Sequence, residues 1–253
     1  MKKCSIIASS LLVFTAITAT ADTIGGEIAI GGWSHEPSGW IRYPSDTGDK
    51  VYVDDDLNLD TQTGIYIRAK LEHPLPILPN IRLAYNNVKS EGYGKISKSF
   101  TFGDATFNAN EKTYSKVDLD SFDGTFYWEV IDTGMDLDLG LTARYVNGSI
   151  KIKSLTTGRS DDTDIDVVLP LVYANIRVPV PFLDGLSIGA EGNYITYDGS
   201  TLYDLQADLR YTLTMGVGIE AGYRAQKYKL DDVQDTSSDI DFKGFFAGAV
   251  WDF

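Results

Sequence analysis

The residues of this chain best suited to chemistry are arginines and acids that alternate with apolar residues. Six of the eight arginines lie in such alternating segments: Arg68, Arg82, Arg144, Arg177, Arg210 and Arg224. Acids occupy the same phase, namely Asp136, Asp138, Glu191, Asp204, Asp208 and Glu220. Alternate residues of an extended segment point to one face, so we expect these charges to share a surface. Such a surface could line a water-filled channel that sorts ions, pair its charges in a salt-bridged core, or form a ligand-binding interior.

Catalytic chemistry has little support in the sequence. Of the two histidines, His73 precedes a proline in an expected turn, whereas His35 stands between Ser34 and Glu36 at the expected outer end of the first strand. Neighbours on a strand point to opposite faces, so this trio cannot form a proton relay unless a loop acid such as Asp54 approaches. We expect no enzyme, and an enzyme that uses His35 at this outer end of the strand is the least favoured alternative. We also expect no cofactor and no metal, because the acidic loop at 54–56 lacks EF-hand spacing.

The charged positions belong to segments with strict two-residue periodicity. Asp136 to Tyr145 is the clearest, and the segments 203–211 and 217–225 repeat its pattern. Runs of about ten residues with this period, separated by turns, are typical of membrane-spanning barrel strands. Ten segments are predicted to start near residues 24, 61, 81, 116, 135, 165, 186, 202, 216 and 241, and eight strands is the alternative. No segment after the N-terminal region has the roughly 20 consecutive apolar residues of a spanning helix.

The end of the chain resembles an assembly signal. Phe245, Trp251 and Phe253 share one phase of a final strand whose alternate residues are apolar up to the terminus. This ending resembles the C-terminal signal of bacterial outer-membrane β-barrels, in which the last strand closes the barrel. Together with the alternation it predicts an all-β, transmembrane, antiparallel up-and-down barrel. It also predicts the barrel-assembly machinery as a partner.

The beginning of the chain predicts export. Residues 1–21 have a basic start, a short apolar stretch and an A-x-A site, which predicts a cleaved secretory signal peptide and a barrel domain at 22–253. Cys4 is the only cysteine, so the exported domain would have none. Removing the two lysines of the signal takes the formal net charge from −14 to −16. This charge argues against nucleic acid as a partner and is compatible with divalent cations bridging to lipopolysaccharide.

Loop lengths and aromatic residues give further expectations. Connections near 73–80, 132–134, 179–185 and 212–215 are short and predicted to be periplasmic, whereas those at 34–60, 90–115, 148–164 and 229–239 are longer and predicted to face outward. A bulge is expected near 120–124, where the apolar phase changes within one strand. Lipid-facing aromatic girdles are predicted from Trp33, Tyr85, Trp128, Tyr145, Tyr194, Tyr211, Tyr223 and Trp251.

Four segments carry a resemblance to a known family. The segments 71–80 (LEHPLPILPN), 139–145 (LGLTARY), 189–195 (GAEGNYI) and 250–253 (VWDF) resemble a family of small proteobacterial outer-membrane β-barrel proteins. The resemblance implies the barrel fold and outer-membrane location, and it implies no catalytic residues because the family has no established activity. The expected function is a structural or surface-interaction barrel with a charge-filled lumen. A narrow porin-like channel lined by the arginines and acids is the alternative.

Overall fold

The computed structural model describes residues 24–75 and 77–253, which form an all-β chain. Ten long antiparallel strands pair in chain order and close into a barrel. These are β1 (Gly25–Arg42), β3 (Gln62–Glu72), β4 (Asn80–Lys95), β7 (Lys112–Asp132), β8 (Asp136–Ser154), β9 (Ser160–Pro179), β10 (Leu186–Tyr197), β11 (Ser200–Thr212), β12 (Val217–Val233) and β13 (Thr236–Asp252). Three short strands complete the fold: β2 (Val51–Tyr52), β5 (Phe100–Phe102) and β6 (Ala105–Phe107).

The first and last strands close the barrel. β1 pairs with β13 from Glu27–Asp252 to Arg42–Ser237, and Gly26 and Phe253 exchange backbone hydrogen bonds of 2.8 and 2.9 Å. Both ends of the described chain therefore lie at one end of the barrel, which we call the terminal end; the opposite end is the far end. The prediction of a closed antiparallel barrel with ten strands, rather than eight, is confirmed. Across 24–75 and 77–253, no helix is long and apolar enough to cross a membrane. The predicted signal peptide, residues 1–21, lies outside the described residues.

The strands extend farther toward the far end than the alternation predicted. Two of the expected long loops are mostly strand: β8 and β9 are joined by residues 155–159 only, and β12 and β13 by 234–235. With 19 residues at about 3.3 Å each and a tilt near 40°, β8 is about 48 Å long along the barrel axis. This is roughly twice the height of the apolar band of a membrane barrel.

The barrel has two zones: in one the apolar side chains of the strands point outward, and in the other they point inward. On β7, Phe122, Phe126 and Trp128 point outward near the terminal end, whereas Val117 and Leu119 point inward near the far end. The expected bulge at 120–124 is wrong, because β7 keeps its register with β4 and β8 through this segment; the register shift lies between Glu129 and Ile131. The apolar residues of β7 change from outward to inward positions because the apolar surroundings lie outside the barrel near the terminal end and inside it near the far end.

Two connections fold over the far end. The β5–β6 hairpin buries Phe100, Phe102 and Phe107, and Gly103 at its tip donates to the carbonyl oxygen of Tyr43 at 2.9 Å. The connection 43–61 covers the place where β3 is short. Its residue Asp60 donates from its backbone amide to the carbonyl of Glu91 on β4 at 3.1 Å. These segments form a lid over the apolar half of the interior.

Candidate functional site in the barrel interior

The charged half of the interior contains a ring of four alternating charges. Arg68 donates to Glu27 at 2.7 Å and to Glu220 at 2.8 Å, and Arg210 donates to the same two carboxylates at 2.6 and 2.9 Å. The four side chains come from β1, β3, β11 and β12 and are all buried. The hydroxyl of Tyr66 donates to Glu220 at 2.9 Å and completes its shell. Each carboxylate thus bridges the two guanidinium groups, and the two negative and two positive charges of the ring cancel.

A second network crosses the lumen above this ring. Arg144 donates to both oxygens of Asp123 at 2.7 Å and to Asp204 at 2.7 Å. Arg224 binds both oxygens of Asp204 at 2.7 and 2.6 Å and donates to Asn86 on β4 at 2.5 Å. Bidentate arginine–carboxylate pairs of this kind are short and directional. They connect β7 and β8 to β11, β12 and β4.

Three further groups of charged and polar side chains fill the rest of the charged half. Arg82 donates to Glu191 at 2.5 Å, and Tyr173 donates to the same carboxylate at 2.9 Å. Arg177 bonds both oxygens of Asp208 at 3.0 Å. Asp138 accepts from Asn175 at 2.9 Å and lies 3.7 Å from Lys70, whereas Asp136 is exposed at the terminal end. The six arginines and five of the six acids singled out in the sequence are therefore inside, and their functional role stays a prediction.

Sequence reasoning missed two acids of these networks. Glu27 shares the inward phase of β1, and Asp123 lies in the segment 120–124, where the change of apolar phase indicates a bulge. Alternation alone would have found both. Tyr66 was not anticipated either, because it requires facing glycines: a Cβ on Gly31 or on Gly248 would clash with its ring or hydroxyl.

The far half of the interior is apolar. Its core includes Ile41, Val53, Leu119, Val146, Ile150, Ile152, Ile240 and Phe242 together with the three lid phenylalanines. One cavity lies among the charges, near Arg82 and Glu191, and another lies in the apolar half, near Ile165 and Leu230; each has a volume of about 20 Å³. A space of this size holds about one water molecule. The arrangement favours a filled interior over an open path.

Two residues of β1, Trp33 and His35, lie inside the barrel rather than on its outer surface or rim, where they were expected. Trp33, predicted to face lipid, is 2% exposed and points inward, where its indole donates to Gly244 at 3.3 Å and Arg224 lies 4.7 Å from its ring. His35 is 0% exposed rather than at the outer rim, because β1 continues to Arg42. Its Nδ1 is 3.1 Å from the carbonyl oxygen of Trp33 and its Nε2 is 2.9 Å from that of Lys89. Both nitrogens contact backbone, which does not favour catalysis at this histidine.

The outer surface changes character between the zones. On the zone that includes the terminal end, Trp128, Tyr145, Tyr194, Tyr211, Tyr223 and Trp251 are exposed, as are Phe245 and Phe253. Nearer the far end, the outer wall has charge pairs such as Asp241 with Lys227 at 3.1 Å and with Lys243 at 3.2 Å. Burial raises the pKa of Asp241, but hydrogen bonds from the two lysines outweigh this and hold that pKa below its ordinary value.

No metal centre is formed by the described side chains. Within residues 24–75 and 77–253, no three histidine, cysteine or acidic side chains are grouped so that they could hold a metal ion. The buried acids of the lumen are instead bound by arginine, lysine or asparagine.

Comparisons with known proteins give distant structural similarities. No protein-family model matches the chain, and no curated protein matches it in sequence. One similar structure is Ail, the attachment invasion locus protein of Yersinia pestis, with 13% identity, a TM-score of 0.39 and coverage of 91% of this chain and 99% of that chain. Another is the transport unit of the autotransporter AIDA-I from Escherichia coli, with 10% identity, a TM-score of 0.41 and coverage of 96% and 92%. A third is the translocator domain of NalP from Neisseria meningitidis, with 11% identity, a TM-score of 0.41 and coverage of 90% and 86%. Similarities this distant carry no argument on function.

Proposed function

We propose that this chain is an integral outer-membrane β-barrel with a closed interior, whose far half projects from the membrane for contacts at the cell surface. The observation that carries this proposal is the reversal of polarity between the two zones. One zone exposes apolar side chains and fills its interior with paired charges, and the other exposes charges and fills its interior with apolar side chains. The first suits a hydrocarbon surrounding and the second suits water.

The apolar belt supports the membrane part of the proposal. Each of the ten barrel strands contributes a large exposed apolar side chain: Ile30, Ile67, Leu83, Phe126, Leu141, Val172, Ile188, Leu209, Ile219 and Phe245. Leu141, Val172 and Ile219 are 64%, 60% and 67% exposed. A continuous apolar surface of this kind is not stable in water, and a closed barrel satisfies its backbone groups within hydrocarbon.

Orientation and partners are part of the same proposal. The terminal end would face the periplasm, and the far end, with its lid, would face outward. The acidic loops of the far end would contact lipopolysaccharide through divalent cations, and the last strand, with Phe253, would be recognised by the assembly machinery.

The filled interior supports a barrel that does not conduct. All six inward arginines bond at least one carboxylate, and an apolar core and a lid lie above them. The channel alternative rests on one observation: Nε and Nη1 of Arg82 have no hydrogen-bond partner beside the small polar cavity, which suits an ordered water. A single water site does not make a path through the apolar half.

Conductance across a planar bilayer tests this proposal. The exported chain, refolded and shown to be folded by heat-modifiable gel migration, is expected to leave the bilayer silent at several salt concentrations. Arg144→Ala and Arg210→Ala serve as matched variants, since both change lumen charges. Steady discrete steps in the parent protein, with ion selectivity altered in either variant, would establish the channel and refute the closed interior.

A further inference from the structure

We infer that the free edge of β9 is a docking site for an extended peptide segment in which apolar and basic residues alternate. β9 pairs with β8 over its whole upper part, residues 160–171. On its other side, β9 pairs with β10 only between the cross-strand pair Pro179 with Ser187 and the pair Val172 with Tyr194, because the β10–β11 hairpin is short. Of the described strands, none pairs with the second edge of β9 above Val172. We call residues 160–171 the free edge.

The chain covers the only comparable gap that its described strands leave elsewhere in the wall. β3 is also short, and β4 extends beyond it. There, Val51 and Tyr52 pair with β1, and Asp60 and Ser90 bond across to the extended part of β4. Among the described residues, no backbone group pairs with the free edge of β9 in this way; the contact there is made by the side chain of Gln234, from the turn between β12 and β13. One opening is closed by the chain's own backbone, and the other is left for a different occupant.

The free edge already binds an amide. The backbone N–H of Asp166 donates to Oε1 of Gln234 at 3.2 Å, and Nε2 of Gln234 donates to the carbonyl oxygen of Asp166 at 2.9 Å. The side-chain amide thus occupies the position that a peptide group of an added strand would take. Because hydrogen-bonding direction alternates along a strand, Asp164 and Val168 present their peptide groups to the same side. Pro170 shares this register and has no N–H, so it marks the lower limit of pairing.

The side chains beside the free edge define the chemistry of the partner. Ile165, Val167 and Leu169 point inward and line the apolar cavity of about 20 Å³, and Val167 and Leu169 stay partly exposed. On the other face, Asp162, Asp164 and Asp166 are exposed toward the far end, and the exposed Val168 and Pro170 lie below them. An added strand places its side chains directly beside these two sets, so it would be apolar on one face and basic on the other.

A second copy of this chain fits this edge poorly. Two free edges paired with each other would bring aspartates against aspartates, and like charges in cross-strand contact are destabilising. The edge therefore selects a partner of opposite charge. This inference rests on the proposed function in one respect: the proposed function places the free edge of β9 on the outer side of the membrane.

Binding of a synthetic peptide tests the inference. The probe is a short fluorescent peptide of alternating lysine and valine, added to the folded barrel in a zwitterionic detergent. The control peptides are a blocked isomer, with all lysines before all valines, and an alternating peptide with methylated backbone amides. Saturable binding of the alternating peptide alone is expected. Equal binding of either control, or no binding at all, would overturn the inference.

Protein variants locate the site. Gln234→Ala frees the peptide group of Asp166 and is expected to tighten binding several-fold, whereas Val168→Pro removes one edge donor and is expected to weaken it about five- to tenfold. Asp162→Asn with Asp164→Asn should weaken binding at low salt, and the matched loop variant Asp54→Asn with Asp55→Asn should not. Unchanged affinity in all three edge variants would refute the site, even where one of them folds poorly.

The two proposals fail separately. A barrel that conducts ions but binds the peptide at the free edge would refute the closed interior and leave the docking site standing. A silent, folded barrel that does not bind the peptide would refute the docking site alone.

Discussion

Replacing Arg144 by leucine tests whether the lumen is a dry, ion-paired core. Arg144 is fully buried and supplies both short bonds to Asp123, whose next cation, Arg82, lies 3.9 Å away. Asp204, the other partner, keeps its bidentate bonds to Arg224. The substitution therefore leaves one buried carboxylate almost unpaired. Removing one partner of a buried pair costs about 3–5 kcal/mol, and we expect a loss of this size in the free energy of unfolding.

This loss is measured by equilibrium unfolding in urea. The protein is inserted in lipid vesicles, and its folded fraction is followed by gel mobility. Lys116→Gln is the matched control, since its pair with Asp118 lies on the outer wall and should be worth less than about 1 kcal/mol. Adding Asp123→Asn to Arg144→Leu removes the orphaned charge and should recover about 1–2 kcal/mol of the loss. If Arg144→Leu costs no more than Lys116→Gln, water solvates the orphaned acid and the filled lumen is refuted.

Two other predictions concern assembly and packing. Deleting Phe253 removes the backbone bonds to Gly26 and the terminal aromatic ring, so we expect much less folded barrel in the outer membrane of cells; normal amounts would remove the case for a terminal signal. Gly248→Ala places a Cβ against the Tyr66 hydroxyl and the carbonyl of Ile30, and should cost about 1–3 kcal/mol in the same unfolding assay. A Gly248→Ala protein as stable as the parent would mean that Tyr66 is free to move away from Glu220.

The barrel was predictable because its signal is local. In the segments 136–145 and 203–211 the apolar face is unbroken, and a shift of one residue would turn Arg144 or Arg210 into the apolar exterior at a cost of about 2–4 kcal/mol near the midplane. The pairing of β1 with β13 followed from the need to close the sheet. These features depend on each strand and its two neighbours.

The far half was not predictable in the same way. Val117 and Leu119 continue the inward phase of β7, but the sequence does not state where the exterior changes from apolar to aqueous. A change of surroundings therefore looked like a bulge. The expectation that Trp33 faces lipid is wrong for a different reason: Trp33 shares the inward phase of Glu27, and Gly244 and Arg224 provide partners for it inside.

The networks of the lumen depend on contacts across the barrel. Alternation predicts that Arg82 and Glu191 point inward, but not that strands as distant in the chain as β4 and β10 bring them together. Which acid binds which arginine depends on the tilt of the strands and on the glycines that leave room for Tyr66.

Fluorescence quenching by brominated lipids tests the two-zone architecture most directly. Variants that keep a single tryptophan, either Trp128 on the belt (42% exposed) or Trp33 in the interior (2% exposed), would be refolded into vesicles containing bromine on the acyl chains. We predict strong quenching of Trp128, whose side chain faces lipid, and little quenching of Trp33, whose side chain faces the interior. Equal quenching of both residues, or none at Trp128, would contradict this prediction.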